Sequence, residues 1–215
     1  MKLTTWIADA FSTIASGITW NKLYALFNNG LYYKMTEGEL SQVRERLRTG
    51  YYLILVRKNA HLTTYLIGIA NLFLSGKFSY YAHILMNVEG DDPVTNDDFR
   101  LEEAQRSGVQ YSTFMQALAC DGIALLVPRG FTADDWTKVM DKAVSEYGKA
   151  YDTLFDLTNA ERVSCVEMVR VALQSVPDYA MRFAHFENMI KTNKNLTPQM
   201  FYDCPDFYVA WESRH

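Results

Sequence analysis

The chain has little of what marks several large functional classes. Its 215 residues include three cysteines, Cys120, Cys165 and Cys204. An odd number at such wide spacings fits neither a disulfide framework nor a paired-cysteine metal site. Free thiols in a reducing compartment are the simpler account. There is no GxxxxGK or GxGxxG loop for phosphates, no HExxH and no DxDxDG calcium loop, so nucleotide and metal chemistry lack their usual frames. Positive charge is scarce: 21 Lys and Arg against 25 Asp and Glu leave a net charge of −4, no electrostatic footprint for nucleic acid. Long apolar runs are missing too. The longest, over 62–74, contains Thr63, Thr64 and Asn71 and is too short to span a bilayer. The first residues, with one Lys, an early Asp9 and a short apolar run before Ser16 and Gly17, make a poor signal peptide. The expectation is a soluble, cytoplasmic protein with no nucleic-acid partner, no metal and no cofactor.

What is present is ordinary globular material, 49% hydrophobic and 21% charged, with a high aromatic share of 14%. Residues 4–16 place Trp6, Ile7, Ala10, Phe11, Ile14 and Ala15 on one helical face, with Thr5, Asp9 and Ser12 opposite. This predicts an N-terminal helical arm, either packed on the core or docking a protein partner. The lack of basic residues over 4–16 weakens a membrane-surface role, although membrane contact stays open. Thr36-Glu37-Gly38-Glu39 has the form of a capping box and opens a helix through Leu47. At 51–56 the chain turns β-rich, and a strand buried on both faces is expected.

Further on, 62–75 reads as a buried helix and 80–88 as a strand carrying His83. The stretch 99–105 reads as a strand or a helix, and 108–111 as a strand. Residues 122–127 form a clear strand stopped by Pro128, and Thr132 caps a helix running to about 147. Beyond about 175 the chain reads as helical or irregular, punctuated by Pro177, Pro198 and Pro205. One α+β unit behind an N-terminal helical extension is the layout, divided as 1–47 and 48–215.

Cys165 stands where loop-like residues give way to Val166, Val169 and Leu173 at helical spacing. Unpaired N–H groups and the positive end of the helix dipole favour a thiolate at such a place. The competing account is a buried, inert cysteine. A cysteine nucleophile needs a base and the base an orienting acceptor. Of the four histidines, His83 lies in an apolar strand between Ala82 and Ile84, a setting equally suited to a hydrogen-bonded core residue. Glu103 on a neighbouring strand could reach its imidazole across about 5 Å, unless it faces solvent. Glu102 would point to the other face. Glu167, about 200° around the helix from Cys165, reads as structural.

The order of four segments resembles the permuted papain-fold amidases of the YiiX/YaeF type, a circularly rearranged branch of the NlpC superfamily. They are Phe78 to His83, Glu103-Ala104 with Gly108-Val109, Gly148 to Phe155, and Ser164-Cys165-Val166-Glu167-Met168-Val169. The resemblance covers roughly 48–210 and implies a circularly permuted papain-like (NlpC-type) fold, an antiparallel sheet packed against the nucleophile helix. It makes Cys165 the nucleophile, His83 the base and Glu103 the residue orienting His83. Tyr151, Asp152 and Ser164 would line the substrate site. Where the family carries Gly-Asp at its first strand this chain has Gly50-Tyr51, and residues 1–47 have no counterpart. The implied function is a cysteine hydrolase, an amidase or peptidase acting through an acyl-enzyme, with cell-wall peptides as substrate class. Lipid thioesterase or acyltransferase chemistry, or a non-catalytic binding module on the same scaffold, are the alternatives.

Overall fold

The computed structural model describes residues 35–57, 69, 72, 80–88, 101–105, 107–118, 120–152, 161–193 and 196–213. The expected arm over 4–16 lies outside them. Helix α1, Glu37–Thr49, starts on the capping box read from the sequence: the Thr36 N–H donates to Glu39 Oε2 at 2.9 Å and the Glu39 N–H to Thr36 Oγ1 at 3.2 Å. Two helix-end donors are thereby satisfied within one turn. Val43 and Leu47 are its buried side chains.

The sheet follows. Strands β1 (Leu53–Arg57), β2 (His83–Asn87), β3 (Leu101–Gln105), β4 (Gly108–Ser112) and β5 (Gly122–Pro128) join β8 (Phe207–Glu212) in the order β4-β3-β2-β1-β5-β8. Every pairing is antiparallel. β1 is central, which is why Leu53 to Val56 are apolar without alternation and wholly buried. The β3–β4 hairpin needs Gly108, whose φ is +109° and whose missing Cβ leaves room for the Lys149 carbonyl; a Cβ would sit 2.5 Å from that oxygen.

Short helix α2 (Phe114–Ala117) follows β4. Helix α3 (Ala133–Ser145) follows β5 and is capped by Thr132 and Asp135 as expected. Two-residue strands β6 (Ala150–Tyr151) and β7 (Arg162–Val163) pair in parallel and lead into α4, Cys165–Leu173. Helices α5 (Tyr179–Arg182), α6 (Ala184–Asn193) and α7 (Pro198–Asp203) complete the chain before β8.

The sheet has a core on each face. On one, Leu53, Leu55, Ile84, Met86 and Ala124 meet Val139 of α3 and Val166, Val169 and Leu173 of α4. On the other, Ile54, Val56, Leu85 and Leu125 meet Val43 and Leu47 of α1 and Phe114 of α2. Buried Asn87 ties α1 to the sheet by donating to the Leu47 carbonyl at 3.0 Å and the Gly50 carbonyl at 3.3 Å, acceptors that a helix end leaves open. Arg170 grips Glu187 through two bonds of 2.8 and 2.9 Å, fixing α4 to α6. Forked pairs of this kind add geometric specificity.

Two expectations need correcting. The tail past residue 175 is not purely helical or irregular, because Phe207–Glu212 pairs with β5 as the edge strand. The stretch 62–75 was expected as a buried helix, yet Ile69 and Leu72, its described residues, are helical and nearly half exposed. An apolar side chain does not dictate burial, since much of a folded surface is apolar. No helix among the described residues is long and apolar enough to cross a membrane.

Candidate active site

Cys165 is the first residue of α4, and Ser164 is its N-cap. The Ser164 N–H donates to Glu167 Oε2 at 2.7 Å and the Glu167 N–H to Ser164 Oγ at 3.4 Å, a reciprocal cap like that of α1. The sequence thus sets the thiol at the first turn of a helix that is buried along most of its length. Cys165 itself is 4% exposed.

Among the sheet strands, α4 packs most closely on β2 and β3. His83 opens β2, and its Nε2 lies 2.7 Å from Glu103 Oε2. Burial pulls the imidazole towards its neutral form, but the charge and hydrogen bonding of Cys165, followed by those of Glu103, outweigh it, and His83 is raised from 6.5 to about 9. With Nε2 turned to Glu103, Nδ1 is the nitrogen left for the thiol. The imidazole therefore stands between a thiol and a carboxylate.

Glu103 is fully buried. Burial pushes its pKa up, yet His83, Gln105 and Ser112 overcome it and hold the carboxyl at about 2. Gln105 Nε2 donates to Oε1 at 2.5 Å, and the Ser112 hydroxyl donates to the same oxygen. Neither Gln105 nor Ser112 stood out in the sequence. Only strand register puts them beside Glu103, and the one available signal was the period of two that sets Gln105 on the face of Glu103.

Glu102 points away from His83, as the alternation required, but it is not a solvated glutamate. It is fully buried opposite Met86 and Tyr111, and burial together with the Glu146 charge pushes it up to about 7. Among the described residues neither of its oxygens has a hydrogen-bond partner.

The remaining candidates frame the thiol unequally. Tyr151 pairs with Val163, and its hydroxyl is raised first by burial and then by the charges of Cys165, Glu167 and Asp152. Asp152 is 2% exposed and its N–H donates to the Val163 carbonyl at 3.2 Å. The structure thus brings Tyr151 and Asp152 to the segment that feeds the cysteine helix. Ser164 is fully buried and its hydroxyl serves the cap. His61 and His215 lie outside the described residues, while His185 pairs elsewhere, with Asp206. A pocket of 390 Å³ lined by Gln174, Tyr179, Glu187 and Lys191 holds none of these candidates.

Fold and site together define an α+β protein whose antiparallel sheet carries His83 bonded to Glu103, with Cys165 acting on His83 from the start of α4. No protein-family model matches the sequence, and no curated protein does. In structure the chain is similar to the metalloprotein YiiX from Escherichia coli O157:H7, with a TM-score of 0.51 and 17% identity over 76% of this chain and 96% of YiiX. The YiiX-like fold is what that likeness establishes.

Proposed function

We propose that this chain is a cysteine hydrolase on a circularly permuted papain-like scaffold, with Cys165 as nucleophile, His83 as general base and acid, and Glu103 as the residue that orients His83. The observation that carries the reading is the imidazole held by Glu103 at 2.7 Å while Cys165, at a helix start, raises its affinity for the proton. A thiol, a base and an orienting acceptor in that order are what nucleophilic acyl chemistry needs.

In this reading the imidazole takes the thiol proton, leaving a thiolate beside an imidazolium. The sulfur attacks an amide carbonyl carbon, a C–S bond forms, and the carbonyl electron pair moves onto oxygen. The backbone N–H of Cys165 supports that oxyanion, since a first-turn N–H has no intrahelical acceptor. As the pair returns, the C–N bond breaks and His83 gives its proton to the departing amine. Water, deprotonated by His83, then attacks the thioester. The acyl group leaves as the acid and the thiolate is restored.

Peptide amides are the substrate class, with cell-wall peptides suggested by the resemblance to NlpC-type amidases. The neighbour YiiX is described as a metalloprotein, but the residues here do not fit a metal. Both oxygens of Glu103 accept hydrogen bonds, and His83 is engaged by Glu103 and Cys165. Among the described residues no group of three or more His, Cys, Asp or Glu converges on one point.

Labelling with acyl electrophiles, followed by mass spectrometry of the adduct, tests the reading. A covalent adduct on Cys165, lost in His83→Ala, is expected. Labelling spread evenly over the three cysteines would overturn it.

A further inference from the structure

Glu103 is served from three strands. His83 comes from β2, Gln105 from β3 itself two residues along on the same face, and Ser112 from β4. Ser112 lies directly opposite Leu101 in the β3–β4 register, so Glu103 is its diagonal neighbour, within reach of a short hydroxyl side chain. The two carboxylate oxygens divide the work: Oε2 meets His83, and Oε1 takes both Gln105 Nε2 and the Ser112 hydroxyl. Two donors converging on one oxygen fix the plane of the carboxylate. With the plane fixed, the other oxygen has one direction left, towards the imidazole.

The residue next door supplies the contrast. Glu102 is as buried as Glu103 and on the same strand, but among the described residues neither of its oxygens has a hydrogen-bond partner, and it is pushed up to about 7. A glutamate in this strand that lacks donors thus drifts towards its neutral form. Ser112 is itself buried, at 6% exposure, so its hydroxyl costs free energy unless it bonds, and Glu103 is the acceptor it uses.

We propose that Ser112 is a positioning residue for His83, acting through Glu103: its hydroxyl, seconded by the Gln105 amide, fixes the carboxylate that holds the imidazole against Cys165. This deepens the cysteine-hydrolase reading and rests on it. Ser112 touches no reacting atom. Its effect is to keep the base in one orientation and its acceptor charged. Cys165 and Glu103 are the groups that act on the His83 titration, and His83, Gln105 and Ser112 are those that act on Glu103.

The test is the NMR titration of the His83 ring, identified by the signal lost in His83→Ala, in the full chain without substrate. In Ser112→Ala the midpoint is expected to fall from about 9 by about one unit, because loosening Glu103 weakens its hold on the imidazolium. Ser112→Thr, which keeps the hydroxyl, should restore it. In a Glu103→Gln background the Ser112→Ala change should shift nothing further, a coupling that a merely structural serine would not produce. Should Ser112→Ala fold poorly, Gln105→Ala at the half-buried neighbour is expected to lower the midpoint in the same direction. An unchanged midpoint in both variants, or an equal shift with and without Glu103, overturns the proposal. A wild-type His83 titrating near 6.5 would instead sink the coupling of Cys165 and His83 itself.

Discussion

Among the described residues two places hold a cysteine, a histidine and a carboxylate, and they differ in what lies between the ends. At the first, the His83 imidazole bonds Glu103 and is acted on by Cys165, and its side chain is 17% exposed. At the second, His185 Nδ1 lies 2.8 Å from Asp206 Oδ1, but the ring is 71% exposed. There Asp206 also accepts the Phe186 N–H at 2.8 Å, near the start of α6. Cys204 sits beside Asp206 and is pushed up to about 12 chiefly by burial; the Asp206 backbone opposes the rise and the Asp206 carboxylate adds to it. A carboxylate next to a thiol suppresses the thiolate, whereas an imidazole between the two can support it. The same three residue types therefore give a cap and an inert thiol in one place and a candidate nucleophile in the other. Arrangement decides.

The largest effect expected from breaking this contrast comes from the thiols. Cys165→Ala should reduce acyl-probe labelling to background and turnover of any accepted substrate by ~10⁴-fold or more. Cys204→Ala should leave labelling intact while costing about 1 kcal/mol of stability, read from denaturant unfolding. Next come the histidines. His83→Ala should slow Cys165 labelling by roughly 10²- to 10⁴-fold, and His185→Ala by less than about twofold, its exposed ion pair contributing under ~1 kcal/mol. Glu103→Gln keeps the shape and removes the charge. A loss of about 10- to 100-fold in labelling rate is expected, with the His83 midpoint falling from about 9 towards 6.5.

A pH scan of thermal stability carries the same contrast at smaller scale. His83 is raised in the folded protein, so its contribution is fully present below about pH 6.5 and is lost as pH rises through about 9. Glu103 is lowered from 4.5 to about 2, so its contribution stands above about pH 4.5 and is lost as pH falls through about 2. His83→Ala should flatten the decline in Tm between pH 6.5 and 9. The smallest effect is expected from Asp206→Asn, about 1 kcal/mol from the weakened contact at the start of α6, with labelling unchanged.

Much of this contrast could be read from residues, and some could not. The caps at Thr36 and Thr132 each place a carboxylate three residues after a hydroxyl, a local rule that leaves α1 and α3 legible, while α4 is legible from the spacing of Val166, Val169 and Leu173. The apolar runs of β1 and β5 declare central strands for the same reason. β8 was missed because Phe207 to Glu212 follows Pro205 as an isolated run, and only its pairing with β5 makes it a strand. Glu102 and Glu103 look alike in the sequence. Their separation into an unpartnered acid and a triply bonded carboxylate depends on the β3–β4 register that brings Ser112 across the hairpin and on the distant approach of Glu146. The roles given to His83 and Cys165 came from the resemblance, because the two lie 82 positions apart and no periodicity links them. What the structure adds is that they lie in mutual reach.

The central claim is that Cys165 and His83 act as one unit, and alkylation by iodoacetamide with peptide mapping across a range of pH tests it most directly. Cys165 is expected to react well ahead of Cys120 and Cys204 in the folded protein, and to lose that lead at neutral pH in His83→Ala. Equal rates at the three cysteines, or a Cys165 profile unchanged by His83→Ala, would contradict it.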